Sequence, residues 1–284
     1  MKNQPNQILI ISLFVCLTAC EEPGFGVNGF YISDVRKTET GQNFSFSYDN
    51  GLLTGIYSDD PAGQERIWYL FEYGDSGKIE KMSEKITRQA RIETRHYSIE
   101  QTDLVDLIRT EKVEKDNESQ IINEENIRLF KKPKHGFVTR IAVGDGNEFR
   151  SYDLVRSGAS VIRRKSGDAG IENDYEYYGY DSEINPFRNY LDRFGNLLII
   201  PFTRIICRSP YAYDAPERYI PANLFSIDNC SGLKSPASVT SHGMTGEKHT
   251  GLNIKYNAGG LPAVIDSDPS IPEFESMTIT YQYR

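Results

Sequence analysis

The chain has 284 residues, 25% of them charged, with 40 Asp and Glu against 32 Lys and Arg, so its formal net charge is −8. That acidic balance argues against nucleic acid and against docking on an anionic lipid face, both of which need basic stripes. Hydrophobic residues make up only 38% of the chain, and 18 Tyr and 14 Phe carry much of that share, which favours strands that pack aromatics on a pleated face.

The first element is Lys2 followed by an apolar run from Ile8 to Leu17, too short to span a bilayer and suited to a signal-peptide core. It closes on Leu17-Thr18-Ala19-Cys20, a branched apolar residue, two small ones and a cysteine. This resembles the lipobox of bacterial lipoproteins. The resemblance implies removal of residues 1–19, lipid on the sulfur of Cys20, and a mature protein held on an envelope membrane rather than crossing it. No later apolar stretch reaches the length of a membrane-spanning helix.

Residues 20–40 read as a lipidated flexible tether, acidic at Glu21-Glu22 and then rich in glycine. Gly24-Phe25-Gly26-Val27-Asn28-Gly29 matches the dinucleotide fingerprint in letters only. No helical period follows it to hold a pyrophosphate, so it reads as linker.

Residues 41–284 read as one hairpin-repeat domain. Phe46-Ser47-Tyr48-Asp49-Asn50-Gly51-Leu52 is echoed by Phe71-Glu72-Tyr73-Gly74 and its following turn, by Tyr152-Asp153, by Tyr178-Gly179-Tyr180-Asp181 and by Ile254 to Pro262. Aromatics at i and i+2 share one face of a strand, and Asp, Asn and Gly accept the positive φ of tight hairpin turns. Between Glu100 and Lys132, Leu104, Val105, Leu107 and Ile108 fit a helical face. The flanking Ile92–Ile99 and Thr110–Val113 favour instead two long strands turning near Asp116-Asn117-Glu118-Ser119. From Pro186 to Asn229 five prolines bar continuous ladder pairing, with Leu197–Ile200 expected as a buried strand. The count is 12 to 14 strands.

These phrases, with Asn185-Pro186-Phe187 and the closing Thr278-Ile279-Thr280-Tyr281, resemble a family of uncharacterised bacterial outer-membrane lipoproteins built from YD-type repeats. The resemblance implies a porin-like β-meander and no known activity. The expected fold is therefore all-β: a long antiparallel meander of hairpins, curled or closed into a barrel-like sheet, behind a lipidated tether. The Glu-, Lys- and Arg-rich stretch from Glu111 to Lys134 suits no lipid face. Met277, Ile279, Tyr281 and Tyr283, however, alternate as the last strand of an outer-membrane barrel does.

Candidate chemistry is sparse. With Cys16 removed and Cys20 lipidated, Cys207 and Cys230 remain, and in an oxidising compartment two thiols are expected to pair as a structural disulfide. His242 and His249 flank Glu247 but stand seven apart across glycines, unlike a zinc helix, so no metal is expected. Asp181, Glu183 and Asp192 are the carboxylates that a glycan hydrolase would need close together. Asp266-Ser267-Asp268 lacks the glycine and distal Glu of a calcium loop, and no GxSxG elbow occurs. Tyr211, Tyr213 and Tyr219 with Arg208 and Arg218 have the composition of a recognition surface.

The functional expectation is an envelope-anchored binding or scaffold module, on the outer membrane, meeting a polysaccharide or protein partner, without cofactor and more simply not an enzyme. The alternatives are an envelope glycan hydrolase and a pore-like barrel accessory.

Overall fold

A computed structural model describes residues 29–59, 61, 65–89, 91–116, 118–133, 136–145, 148–158, 160–166, 175–208, 220–235, 238–240, 243–245, 248–267 and 274–283. Cys20 and the segment 209–219 lie outside these. Two compact units are distinguished: the chain ends, Met1–Tyr31 with Tyr281–Arg284, and the large unit Ile32–Thr280. In the small one Phe30 meets Tyr281 edge-on, ring centroids 5.6 Å apart.

The strands in chain order are β1 (Phe30–Lys37), β2 (Asn43–Asp49), β3 (Leu52–Asp59), β4 (Glu65–Tyr73), β5 (Ile79–Arg88), β6 (Arg91–Gln101), β7 (Val105–Lys115), β8 (Glu118–Lys131) and β9 (Val138–Asp145). They continue as β10 (Glu148–Ser157), β11 (Ser160–Ser166), β12 (Tyr175–Ile184), β13 (Asp228–Ser235), β14 (Ser238–Thr240), β15 (Gly243–Thr245), β16 (Lys248–Tyr256), β17 (Pro262–Ser267) and β18 (Met277–Tyr283). Between β12 and β13 lie two helices, α1 (Pro186–Phe194) and α2 (Ile199–Ile206), joined by the 3-10 turn Asn196–Leu198 and followed by a second one, Ala222–Phe225. Sixteen of the described strands form one antiparallel meander whose order closes on itself, β1 being bonded to both β2 and β18, while β14 and β15 form a separate two-stranded ribbon.

The expected all-β meander is thus present, with more strands than expected. Turn chemistry accounts for its regularity: Asn50 and Gly51 take φ of 48° and 80°, the left-handed pair that a two-residue hairpin requires. The region 105–131 is two strands turning at Asp116, whose φ is 47°. β1 lies inside the segment 20–40 expected as tether, because Phe30, Ile32 and Val35 are fully buried strand residues.

Leu197–Ile200 is not a strand. The run Ile199–Ile206 is helical and buried at every position, so no face is left to show alternation. Pro201 sits in the first turn of α2, where a missing N–H costs no intrahelical bond. Asn185 starts α1: its side-chain oxygen accepts from the N–H of Phe187 and Arg188 at 3.1 and 3.3 Å. Its amide nitrogen donates to the carbonyls of Asn223 and Ser226.

Antiparallel alternation puts the β1–β2, β5–β6 and β7–β8 connections at one end of the sheet and the β4–β5, β6–β7 and β12–β13 connections at the other. The insert enters from the second end, where Lys78 in the β4–β5 turn donates to the α1 carbonyls of Asp192 and Arg193. It crosses the lumen, since Arg208 pairs with Glu39 in the β1–β2 turn at the first end. It has returned by Asn223, whose carbonyl accepts from Asn185.

The core is the seam between this insert and the inner face of the strands. Phe46 packs on Tyr190 and Phe202, and Tyr190 on Phe194. Ile67, Tyr69, Tyr97, Ile108, Ile127 and Leu129 are buried on the inner face. Arg204 of α2 is fully buried and pairs with Glu84 of β5 at 2.8 Å. Glu84 also accepts from the Tyr69 and Tyr97 hydroxyls. Burial works against the guanidinium's charge, but Tyr69 and Glu84 outweigh it and keep Arg204 protonated.

The outer face has the opposite character. Trp68, Lys85, Thr94 and Glu114 follow one another across β4 to β7 in register. Arg109 bridges Glu100 and Glu125, Arg128 pairs with Glu125, and Arg140 with Asp153. On β18 Met277 and Ile279 are buried while Thr278 and Thr280 are exposed, so the alternation at the C-terminus carries its apolar side inward.

Candidate functional site

The lumen is not filled evenly. At the end holding the β5–β6 and β7–β8 turns, the strands β6, β7 and β8 run past the insert and leave a cup of about 340 Å³. It is within the range of small-ligand sites. Its wall is the inner face of these strands: Glu93 and Arg95 from β6, Thr110, Val113 and Lys115 from β7, and Gln120, Ile122, Glu124 and Asn126 from β8.

The inward aim of these polar groups follows from two irregularities in the β7–β8 ladder. Register shifts between Ile108 and Arg109, where Ile108 faces Ile127 and Arg109 faces Glu125. Asn126 is the extra residue of this bulge, and bulges re-aim side chains. It points inward, 6% exposed, and one end of its amide meets the Thr110 hydroxyl at 2.6 Å. Among the described residues the other end has no hydrogen-bond partner. A second shift between Thr110 and Lys112 keeps Val113 and Gln120 on the inner face.

Charge in the cup is unevenly matched. Glu93 meets Arg95 at 2.6 Å and Lys115 at 3.5 Å. Burial alone would raise its carboxyl, but the two cations prevail and hold it below the usual carboxylate value. Both cations are thereby engaged, while Glu118 and Glu124 on the same wall enter no ion pair among the described residues. The cup therefore offers carboxylate, amide and hydroxyl groups beside the apolar edges of Val113 and Ile122, and no uncompensated cation.

A second cavity, about 390 Å³, lies at the other end between α1 and the β6–β7 turn. Most of its charges are paired. Asp106, 1% exposed, takes Lys131 at 2.6 Å and the Asn196 amide at 2.7 Å, and Arg188 pairs with Asp192. It has the character of a seam between insert and wall.

The residues singled out from sequence are dispersed. Cys20, Tyr211, Tyr213, Arg218 and Tyr219 lie outside the described residues. Arg208 is described, and its guanidinium is taken by Glu39 at 2.5 Å and Ser267 at 3.2 Å. Cys207 and Cys230, the expected pair, are both buried. Different elements hold them: Cys207 ends α2, its carbonyl accepting from Lys37, while Cys230 faces Tyr180 in the β12–β13 ladder. His242 is not described. No cluster of three His, Cys, Asp or Glu suited to a metal occurs among the described residues.

No protein-family model matches the sequence, and no curated protein matches it. Among solved structures, a porin-like protein from Bacteroides uniformis ATCC 8492 is similar at a TM-score of 0.39 and 12% identity, over 89% of this chain and 96% of that one.

The hydrolase carboxylates are held apart in purpose. Asp181 accepts from the Tyr256 hydroxyl and from the backbone N–H of Glu183. Burial first, and Asp181 second, push the Tyr256 phenol up. Glu183 lies against Gly260, and Asp192 is bound to Arg188 on α1. Nothing in the sequence marked the cup, because Glu93, Arg95, Glu124 and Asn126 are ordinary polar residues until pairing register turns them inward.

Proposed function

We propose that this chain is an envelope lipoprotein, anchored by lipid on Cys20, whose barrel stands in water and binds a ligand at one end of its lumen. The observation that carries the reading is the polarity of the sheet. Membrane-spanning barrels put an apolar band outside and polar groups inside. Here the inner face packs Ile67, Tyr69, Tyr97 and Ile127 against an apolar insert, and the outer face presents Lys85, Arg109, Glu114 and Arg128. Arginine or lysine at mid-bilayer on a lipid face costs roughly 2–4 kcal/mol each.

A conduit also needs an open bore. Barrels of sixteen strands leave an aqueous channel unless something fills it, and α2 occupies this one with all eight residues buried. Both facts favour binding module over pore. Asp181 and Asp192 are engaged by Tyr256 and Arg188, which favours it over glycan hydrolysis.

The test is fractionation of cells making wild type and Cys20→Ala. The wild type should stay with membranes in high salt, and the variant should be folded and soluble without detergent. A variant that still needs detergent would overturn the reading.

A further inference from the structure

The cup is a built site, and its chemistry restricts what can occupy it. The Asn126 side chain is more than nine-tenths buried on its wall, its Oδ1 accepting from the Thr110 hydroxyl at 2.6 Å and its Nδ2 bonded to no protein group among the described residues. With Oδ1 accepting from Thr110, the Asn126 Nδ2 opens on the cup as a donor that a ligand oxygen can take up. Glu124, across the ladder from Thr110, adds an acceptor, and Gln120 opposite Val113 adds both donor and acceptor.

An anion is disfavoured. The cup's cations Arg95 and Lys115 are both spent on Glu93, and the remaining charged groups, Glu118 and Glu124, are acidic. An apolar ligand would leave the Asn126 amide and two carboxylates desolvated without compensation. A hydroxyl-rich neutral molecule answers every group present: its hydroxyls donate to the carboxylates and accept from the amides, and its C–H edges lie on Val113 and Ile122.

Resting on the binding-module reading, we propose that the cup at the β5–β6 and β7–β8 end is a saccharide site, sized by its volume of about 340 Å³ for a short segment of a neutral glycan.

Calorimetric titration of the purified full chain in mild detergent tests this, with maltose, cellobiose, mannobiose and chitobiose as probes, and citrate and dilysine as charged counterparts. At least one neutral disaccharide should bind. Glu124→Gln, which replaces a charged acceptor by a neutral one, and Asn126→Leu, which removes the amide, should each weaken it about tenfold or more. Glu124 is exposed at the cup's wall, so its variant should keep the wild-type melting temperature even if Asn126→Leu does not fold. Glu93→Gln, which releases Lys115 from its carboxylate, should create citrate binding that the wild type lacks.

Absence of binding by all four disaccharides, binding indifferent to Glu124→Gln, or binding of dilysine or citrate alone by the wild type would each overturn the saccharide site. If Cys20→Ala is nonetheless released as a folded soluble protein, only this inference falls. If it is not released, the reading beneath it falls as well.

Discussion

At the scale of single residues, the least expected feature is how much charge the lumen holds. Lys37 is buried with Glu275 at 2.7 Å, and Arg204 with Glu84 at 2.8 Å. Desolvation pulls the Lys37 ammonium below its ordinary value despite the attraction of Glu275. Removing one partner of such a pair leaves a buried charge uncompensated, whereas removing both does not. Glu84→Ala should therefore lose about 3–5 kcal/mol in urea unfolding, and Glu84→Leu with Arg204→Met clearly less than that. Equal losses would mean that Glu84 contributes through packing alone. Glu93 gives a pH-dependent counterpart. Its carboxyl is held below the usual 4.5, so its stabilisation is complete above that value and is lost as pH falls through the lowered one. The urea midpoint of Glu93→Gln should lie below wild type at pH 7, and the gap should close as the pH is lowered until the Glu93 carboxyl is protonated. A gap that persists there would show that the carboxylate's charge is not what matters.

At the scale of elements, hairpins were legible and the insert was not, for the same physical reason. A hairpin announces itself through local chemistry: Asn50-Gly51 takes the left-handed pair of its turn, and Asn257 closes its own turn by accepting from the N–H of Gly259 and Leu261. The α2 half of the insert has no such periodic signature, because a helix buried all round shows neither the strand nor the helix pattern, whereas α1 carries Phe187, Tyr190, Leu191 and Phe194 at helical spacing. Two residues did carry a signal. Asn185 before Pro186 is a helix start, and Arg204 alone in the run Ile199–Ile206 marks a buried ion pair. Asn185 both caps α1 and ties it to the returning chain at Asn223 and Ser226. Asn185→Ala should cost about 1–2 kcal/mol for the cap, with a further loss for the two carbonyls left without a donor. Asn185→Asp keeps the acceptor but not the amide donors, so it should fall between wild type and alanine in thermal unfolding. If Asp were as damaging as Ala, capping would not be the role of Asn185.

At the scale of the whole molecule, composition foretold an all-β protein, and the alternating phrases foretold hairpins. Which face looks outward was foretold in one place only, the charged stretch Glu111 to Lys134 that suits no lipid face. A strand such as Met277–Thr280 reads the same whether its apolar side meets lipid or an insert, and the insert that decides the matter lies far away in sequence. The cup follows from the same cause: where β6, β7 and β8 extend past the insert, inward positions have no apolar partner and carry Glu, Arg, Gln and Asn instead. The acidic balance, the charged outer face and the anchor proposed at Cys20 then form one account, in which lipid would hold the protein at a membrane while the barrel remains in water.

The most direct test is labelling of single cysteines on the outer face in native membranes. Lys85→Cys, Arg109→Cys and Thr278→Cys, on three parts of the sheet, would be treated with a charged, water-soluble maleimide beside the wild type. The account predicts that all three react in intact isolated membranes as readily as after detergent extraction, with the buried Cys207 and Cys230 silent. Protection of all three in membranes and in detergent, with labelling only after denaturation, would mean that the face meets lipid, and the barrel would have to be read as one that spans the bilayer.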